Sequence, residues 1–108
     1  MTEAYLIATS PNVKSPEMTS YAQGAARLLA QFGAERLGAG PIACLEGKVD
    51  GEIGILLHFP SRAVLDAFWS SAEYQSLKRL REGLDFRIFV LDGMAQARPH
   101  PEPAPIAG

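Results

Sequence analysis

The chain has 108 residues, 47% hydrophobic and 20% charged, with a formal net charge of −2. This is the composition of one globular domain, long enough to bury roughly two thirds of its unfolded surface. The near-even balance of acidic and basic residues excludes the basic face that nucleic acid demands. The single cysteine, Cys44, excludes an intrachain disulfide and a thiolate metal cluster. No run approaches the roughly 18 apolar residues of a membrane span, and no leader is apparent, so a cytoplasmic protein with no membrane or nucleic-acid partner is expected.

The first element is a strand over Ala4–Thr9, short and apolar. Ser15-Pro16-Glu17 opens a helix: a capping hydroxyl, a proline suited to the first helical position and a carboxylate that complements the dipole. Met18, Tyr21, Ala22, Ala25, Leu28, Leu29 and Phe32 recur at spacings of three and four, which gives this helix one apolar face. Gly33 stops it. Gly38-Ala-Gly-Pro41 reads as a turn or bulge, Ile42–Leu45 as the second strand and Asp50-Gly51 as a hairpin turn into a third strand, Glu52–Phe59.

Ser61 is placed to cap a helix over Arg62–Trp69. Ser70-Ser-Ala-Glu73 matches a capping box, so a second helix is expected over Ser71–Glu82, ended by Gly83. A fourth strand follows over Asp85–Asp92. Residues 1–94 thus form one domain with the order β-α-β-β-α-β, the ferredoxin-like α+β arrangement with helices on one face of an antiparallel four-stranded sheet. Residues 95–108 form a second region, where Pro99, Pro101, Pro103 and Pro105 alternate with other residues, and an extended, disordered tail is expected.

Along the third strand Ile53, Ile55, Leu57 and Phe59 point one way, and Gly54, Leu56 and His58 the other. Phe86, Ile88 and Val90 oppose Arg87, Phe89 and Leu91 on the fourth strand, and Leu6 and Ala8 oppose Tyr5 and Ile7 on the first. Both faces read as largely apolar while the helices cover one, so a homodimer joined through the uncovered face is expected.

The segments "AYLIAT", "SPEMTSYAQG", "LEG" at 45–47, "HFPSRAVLDAFWSSAEYQSLKRLR" from His58, and a closing "FVLDG" resemble the small bacterial domain-of-unknown-function family numbered thirteen-thirty, within the dimeric α+β barrel superfamily. The resemblance covers roughly residues 4–93 and is most specific from Phe59 to Arg81. It implies the ferredoxin-like fold and a barrel-like dimer. Two positions depart from the family pattern: His58 stands where an acidic residue is usual, and Phe32-Gly-Ala-Glu35 where His-Gly-Gly-Arg is usual. The superfamily includes cofactor-free monooxygenases, lactone isomerases and dehydratases, which makes proton transfer on an activated carbon acid the chemistry implied.

Six residues are candidates for a site. His58 has the titration range of an acid or base, or is a hydrogen-bonded histidine in a packed interface. Arg81 lies about two helical turns beyond Tyr74, on the same face, with Lys78 between them. Together they suit a carboxylate or enolate, with Arg81 offering its planar donor fork. Packing alone also accounts for Tyr74, and an ion pair with a carboxylate such as Glu46 for Arg81. Tyr21 and Trp69 suit a pocket wall or the core. Glu46 is a base, an arginine partner or a solvated carboxylate. His58 as acid/base and Arg81 as anion anchor are the expected catalytic pair, with Tyr74, Trp69, Tyr21 and Glu46 binding substrate. Cys44 reads as a small buried hydrophobe. No metal-ligand spacing, glycine-rich phosphate loop or nucleophile elbow occurs, so no metal and no cofactor are expected. A small-molecule ligand bound or transformed without a cofactor is one reading; a non-catalytic dimeric binding or regulatory module acting through the tail is the alternative.

Overall fold

A computed structural model describes residues 3–49 and 51–93. Strand β1 (Ala4–Pro11) leads to helix α1 (Pro16–Gln31), then β2 (Glu35–Pro41), β3 (Glu52–Phe59), the short helices α2 (Arg62–Ser70) and α3 (Ala72–Lys78), a 3-10 turn (Arg79–Arg81) and β4 (Arg87–Asp92). The four strands form one antiparallel sheet in the order β2-β3-β1-β4. This is the split β-α-β topology expected.

The helix starts follow local chemistry. Ser15 is extended and its hydroxyl accepts from the Met18 N–H, with Pro16 in the first helical position. Gly33 takes a φ of +73°, where a side chain would be strained, and turns the chain back towards the sheet. Ser61 caps α2 by accepting from the Val64 N–H.

Register decides the faces. Ala4 pairs with Phe59, Leu6 with Leu57 and Ala8 with Ile55; on the other side Leu6 pairs with Val90 and Ala8 with Ile88. The helix-facing layer so formed carries the buried core: Ala4, Leu6, Ala8, Leu57 and Phe59 from the sheet, met by Leu28, Leu65, Phe68 and Tyr74 from the helices. Phe68 is the centre of an aromatic cluster, with ring centroids 4.7 Å from Tyr74, 5.5 Å from Phe59 and 5.8 Å from Phe32. Gly24 lets α1 approach α3 closely; a Cβ there would stand 2.5 Å from Leu77 Cδ2.

Several expectations are corrected. The second strand is Glu35–Pro41, and Ile42–Leu45 lies in the connection to β3. Gly33 delivers the chain directly beside β3, where Glu35 pairs with His58, so edge pairing starts at once and is complete before the apolar run arrives. A bulge between Arg36 and Gly38 absorbs the glycines without ending the strand. The connection spans 42–51, so β2 and β3 are not joined by a two-residue turn. Gly51 has a φ of +67°, and Asp50 lies outside the described residues.

The cap of α3 is Ser71, one residue later than the capping box implied. Its hydroxyl accepts from the Tyr74 N–H and donates to the Phe68 carbonyl at 2.7 Å, tying the end of α2 to the start of α3. The last turn of the expected helix tightens into the 3-10 turn before Gly83, whose φ is +85°.

The α+β barrel is not formed. The sheet is open, with β2 and β4 as its two edges, and four strands in this order do not close on themselves.

The outer face is also less apolar than its alternation implied. Leu56, Phe89 and Leu91 are exposed there. Yet Glu3, Glu35 and His58 form a charged cluster at one end, and Arg87 lies 4.0 Å from Glu52 at the other. Such a mixed face does not by itself require a covering copy, which removes the ground on which the homodimer was expected. The proline-rich segment lies outside the described residues.

Candidate functional site

Between α1 and the sheet lies a cleft of about 440 Å³. Its walls are mostly apolar: Leu6, Ala8, Ile55 and Ile88 on the sheet, and Met18 and Leu29 on α1. Small residues keep it open. Ala22, Ala25 and Ala26 face it from α1 and Ala39 from β2. A volume of this size is that of a small-molecule site.

Tyr21 and Tyr74 stand together in the wall. Their phenol oxygens are 2.9 Å apart, with one ring edge-on to the other at a centroid distance of 6.4 Å. Arg81 closes the group from behind. Its Nη2 donates to the Tyr74 oxygen at 3.1 Å, and its guanidinium carbon lies 4.5 Å from the centre of the Phe86 ring and 5.6 Å from that of Tyr21. Phe86 meets Tyr21 edge-on at 5.7 Å. The three polar side chains therefore converge from α1, α3 and the 3-10 turn, held on aromatic surfaces.

The electrostatics follow from burial. Tyr21 is pushed well above the usual tyrosine range by its burial, by the Tyr74 phenol beside it and by their shared hydrogen bond, while the Arg81 charge pulls the other way. Burial works against the charge of Arg81, but the hydrogen bond and charge interaction with Tyr74, joined by those with Tyr21, outweigh it and raise its pKa. Among the described residues Arg81 Nε is buried with no hydrogen-bond partner. On its far side Arg81 lines a surface hollow with Lys78, Arg79 and Glu82.

The other candidates fall elsewhere. Trp69 backs Tyr74 at a centroid distance of 5.0 Å, and Lys78 Nζ sits 4.8 Å above the Trp69 ring. Lys78 is therefore engaged with the indole. His58 is on the opposite face of the sheet. Its Nε2 is 2.7 Å from Glu3 Oε1, and its ring is tilted against Tyr5 at 5.4 Å. Nδ1 lies 3.4 Å from Glu35 Oε1, close enough for an ion pair but without hydrogen-bond geometry. His58 and Arg81 thus do not share a pocket within one chain. Glu46 is exposed in the 42–51 connection, where its carbonyl accepts from the Cys44 thiol at 3.2 Å. Cys44 itself is exposed, not buried. No group of three or more His, Cys, Asp or Glu able to hold a metal ion occurs among the described residues. Among the same residues no helix is long and apolar enough to cross a membrane.

Phe86 and the cleft-lining alanines were not singled out from the sequence. The alternation of Phe86 with Ile88 placed it on the inner face, which was the available signal. The small residues clustered on one side of α1 were the other.

Fold and cleft together define a class: a small split β-α-β domain with a ligand-sized space between helix and sheet. The chain belongs to the family described as Domain of unknown function (DUF1330), whose model matches residues 3–94. No curated protein matches it. Several solved structures share the fold. A protein of unknown function from Rhodopseudomonas palustris is 14% identical, with 88% of this chain and 85% of that one covered and a TM-score of 0.66. A protein from Arabidopsis thaliana is 18% identical, with coverages of 92% and 99% and a TM-score of 0.56. A conserved protein from Bacteroides thetaiotaomicron, described as a possible oxidoreductase, is 13% identical, with coverages of 84% and 97% and a TM-score of 0.52. At these identities the likeness is one of fold alone.

Proposed function

We propose that this protein binds a small, largely apolar organic molecule in the cleft between α1 and the sheet, and orients it with the phenols of Tyr21 and Tyr74. The observation that carries this reading is the combination of a 440 Å³ mostly apolar space with the convergent phenol pair in its wall, where Ser10 and Arg36 are the other polar lining residues. Apolar lining supplies affinity without direction; the phenol pair supplies direction. Trp69 supports Tyr74 from behind, and Arg81 holds it from the solvent side. His58 and Glu46 have no part in this cleft.

The same arrangement can stabilise negative charge on a ligand oxygen, through a phenol proton beside a guanidinium.

The test is ligand-detected and protein-detected NMR with a panel of small aromatic and branched aliphatic compounds. Backbone shifts confined to Ala22, Ala26, Ile55 and Ile88 support the reading. Shifts confined to the outer face, at Leu56 and Phe89, would contradict it. Deuterium appearing in a bound compound from solvent would extend binding to catalysis.

A further inference from the structure

Among the described residues Arg81 is a partly buried cation without a counter-ion. Carboxylates neutralise Arg62 and Arg87 elsewhere on the surface. Among the described residues no carboxylate lies within 4 Å of Arg81, whose Nη2 donates to the Tyr74 oxygen and whose Nε is buried and unpaired. Aromatic rings of Tyr21, Tyr74 and Phe86 surround its inner side.

The hydrogens of the phenol pair can be counted. A guanidinium only donates, so the Tyr74 oxygen must accept from Arg81. The Tyr21–Tyr74 bond consumes one of the two phenol hydrogens, whichever oxygen donates it. One O–H hydrogen is left over and finds no acceptor among the described side chains. Burial holds Tyr21 protonated well above the usual tyrosine range. A leftover donor with an uncompensated cation behind it matches an oxygen that accepts and carries negative charge.

From these contacts we infer that the ligand of the cleft is a carboxylate: its apolar body fills the space under α1, and its anionic oxygen accepts the free O–H of the Tyr21–Tyr74 pair. Arg81 acts through Tyr74 as a positioning residue, orienting the phenol and supplying the charge that selects an anion. This deepens the proposed function and rests on it.

The probes are naphthylacetate and naphthylacetamide, which share shape and differ in charge, titrated by calorimetry into the full chain. The carboxylate is expected to bind at least about tenfold more tightly than the amide. Arg81→Gln should weaken the carboxylate more than the amide and so reduce that preference, a split that simple loss of structure would not give. Tyr21→Phe leaves one free O–H, on Tyr74, and should keep the preference, whereas the Tyr21→Phe/Tyr74→Phe double variant removes both phenols and should lose it. Equal affinity of the two probes for the unaltered protein would overturn the inference and leave an apolar ligand cleft standing. Binding of neither at millimolar concentration would overturn the cleft reading and the inference with it.

Discussion

Tyr21 and Tyr74, 53 residues apart in the chain, place their phenol oxygens 2.9 Å from one another at the wall of the cleft. The contact joins α1 to α3, and Arg81 extends it to the 3-10 turn. Tyr21→Phe should cost about 1 kcal/mol, the net worth of one hydrogen bond. Tyr74→Phe should cost about 1–3 kcal/mol, because it also strips Arg81 of its acceptor. The double variant should be less destabilised than the sum, with a coupling of about 1 kcal/mol by urea denaturation. Strict additivity would mean that the phenols do not share a hydrogen bond in solution.

The raised Tyr21 pKa has a sign that can be checked. An acid whose folded-state pKa lies above its unfolded value keeps its proton in the folded state after the unfolded chain has lost it. Its effect is absent below the unfolded tyrosine value of about 10 and erodes stability as pH rises above that value. Stability should therefore fall above pH of about 10, by up to ~1.4 kcal/mol per pH unit from this group. Tyr21→Phe should flatten the slope, and the difference in ultraviolet titration between the two proteins should show a phenol ionising late. An unchanged slope would contradict a buried Tyr21.

The α2–α3 junction distinguishes two adjacent serines. Ser71 makes the capping bond to the Tyr74 N–H and the bond to the Phe68 carbonyl. Ser71→Ala should cost about 1–2 kcal/mol, whereas Ser70→Ala should stay within about 0.5 kcal/mol. Thermal melts of both variants decide it. The reverse order would put the cap at Ser70.

Phe68 is nearly fully buried and touches the rings of Phe32, Phe59 and Tyr74. Phe68→Ala should lose about 3–5 kcal/mol, enough to threaten the folding of so small a domain. Phe89→Ala, on the exposed outer face, should lose much less. Chemical denaturation of the pair measures how far the core is confined to the helix side.

Much of the fold was legible because it is written in periodicity. The alternation of Leu57 and Phe59 against His58 gave the correct faces, and Ser15-Pro16 and Ser61 gave two helix starts. What was misread depended on distant partners. Ile42–Leu45 has the composition of a strand, but the edge position is taken by Glu35–Pro41, since Gly33 delivers that stretch to β3 first. In the connection Leu45 is 99% exposed. The capping box missed by one residue because local pattern fits Ser70 as well as Ser71, and only the Phe68 carbonyl distinguishes them. The barrel came from resemblance; the open edges of β2 and β4 correct it.

The candidate site was legible in part. Tyr74 and Arg81 were paired by helical spacing, and the structure brings them together. Tyr21 joins them through a contact between helices that no local pattern encodes. His58 parts from them because a single residue of strand alternation sends it to the other face of the sheet.

The most direct test of the cleft is to fill it. Ala26 lines the space from α1 and is exposed, so Ala26→Trp should occupy the cleft while the domain stays folded. Affinity for naphthylacetate, measured by calorimetry on the unaltered and filled proteins, should fall by at least about tenfold, with circular dichroism unchanged. Undiminished binding to a folded Ala26→Trp variant would place the ligand elsewhere and contradict the account.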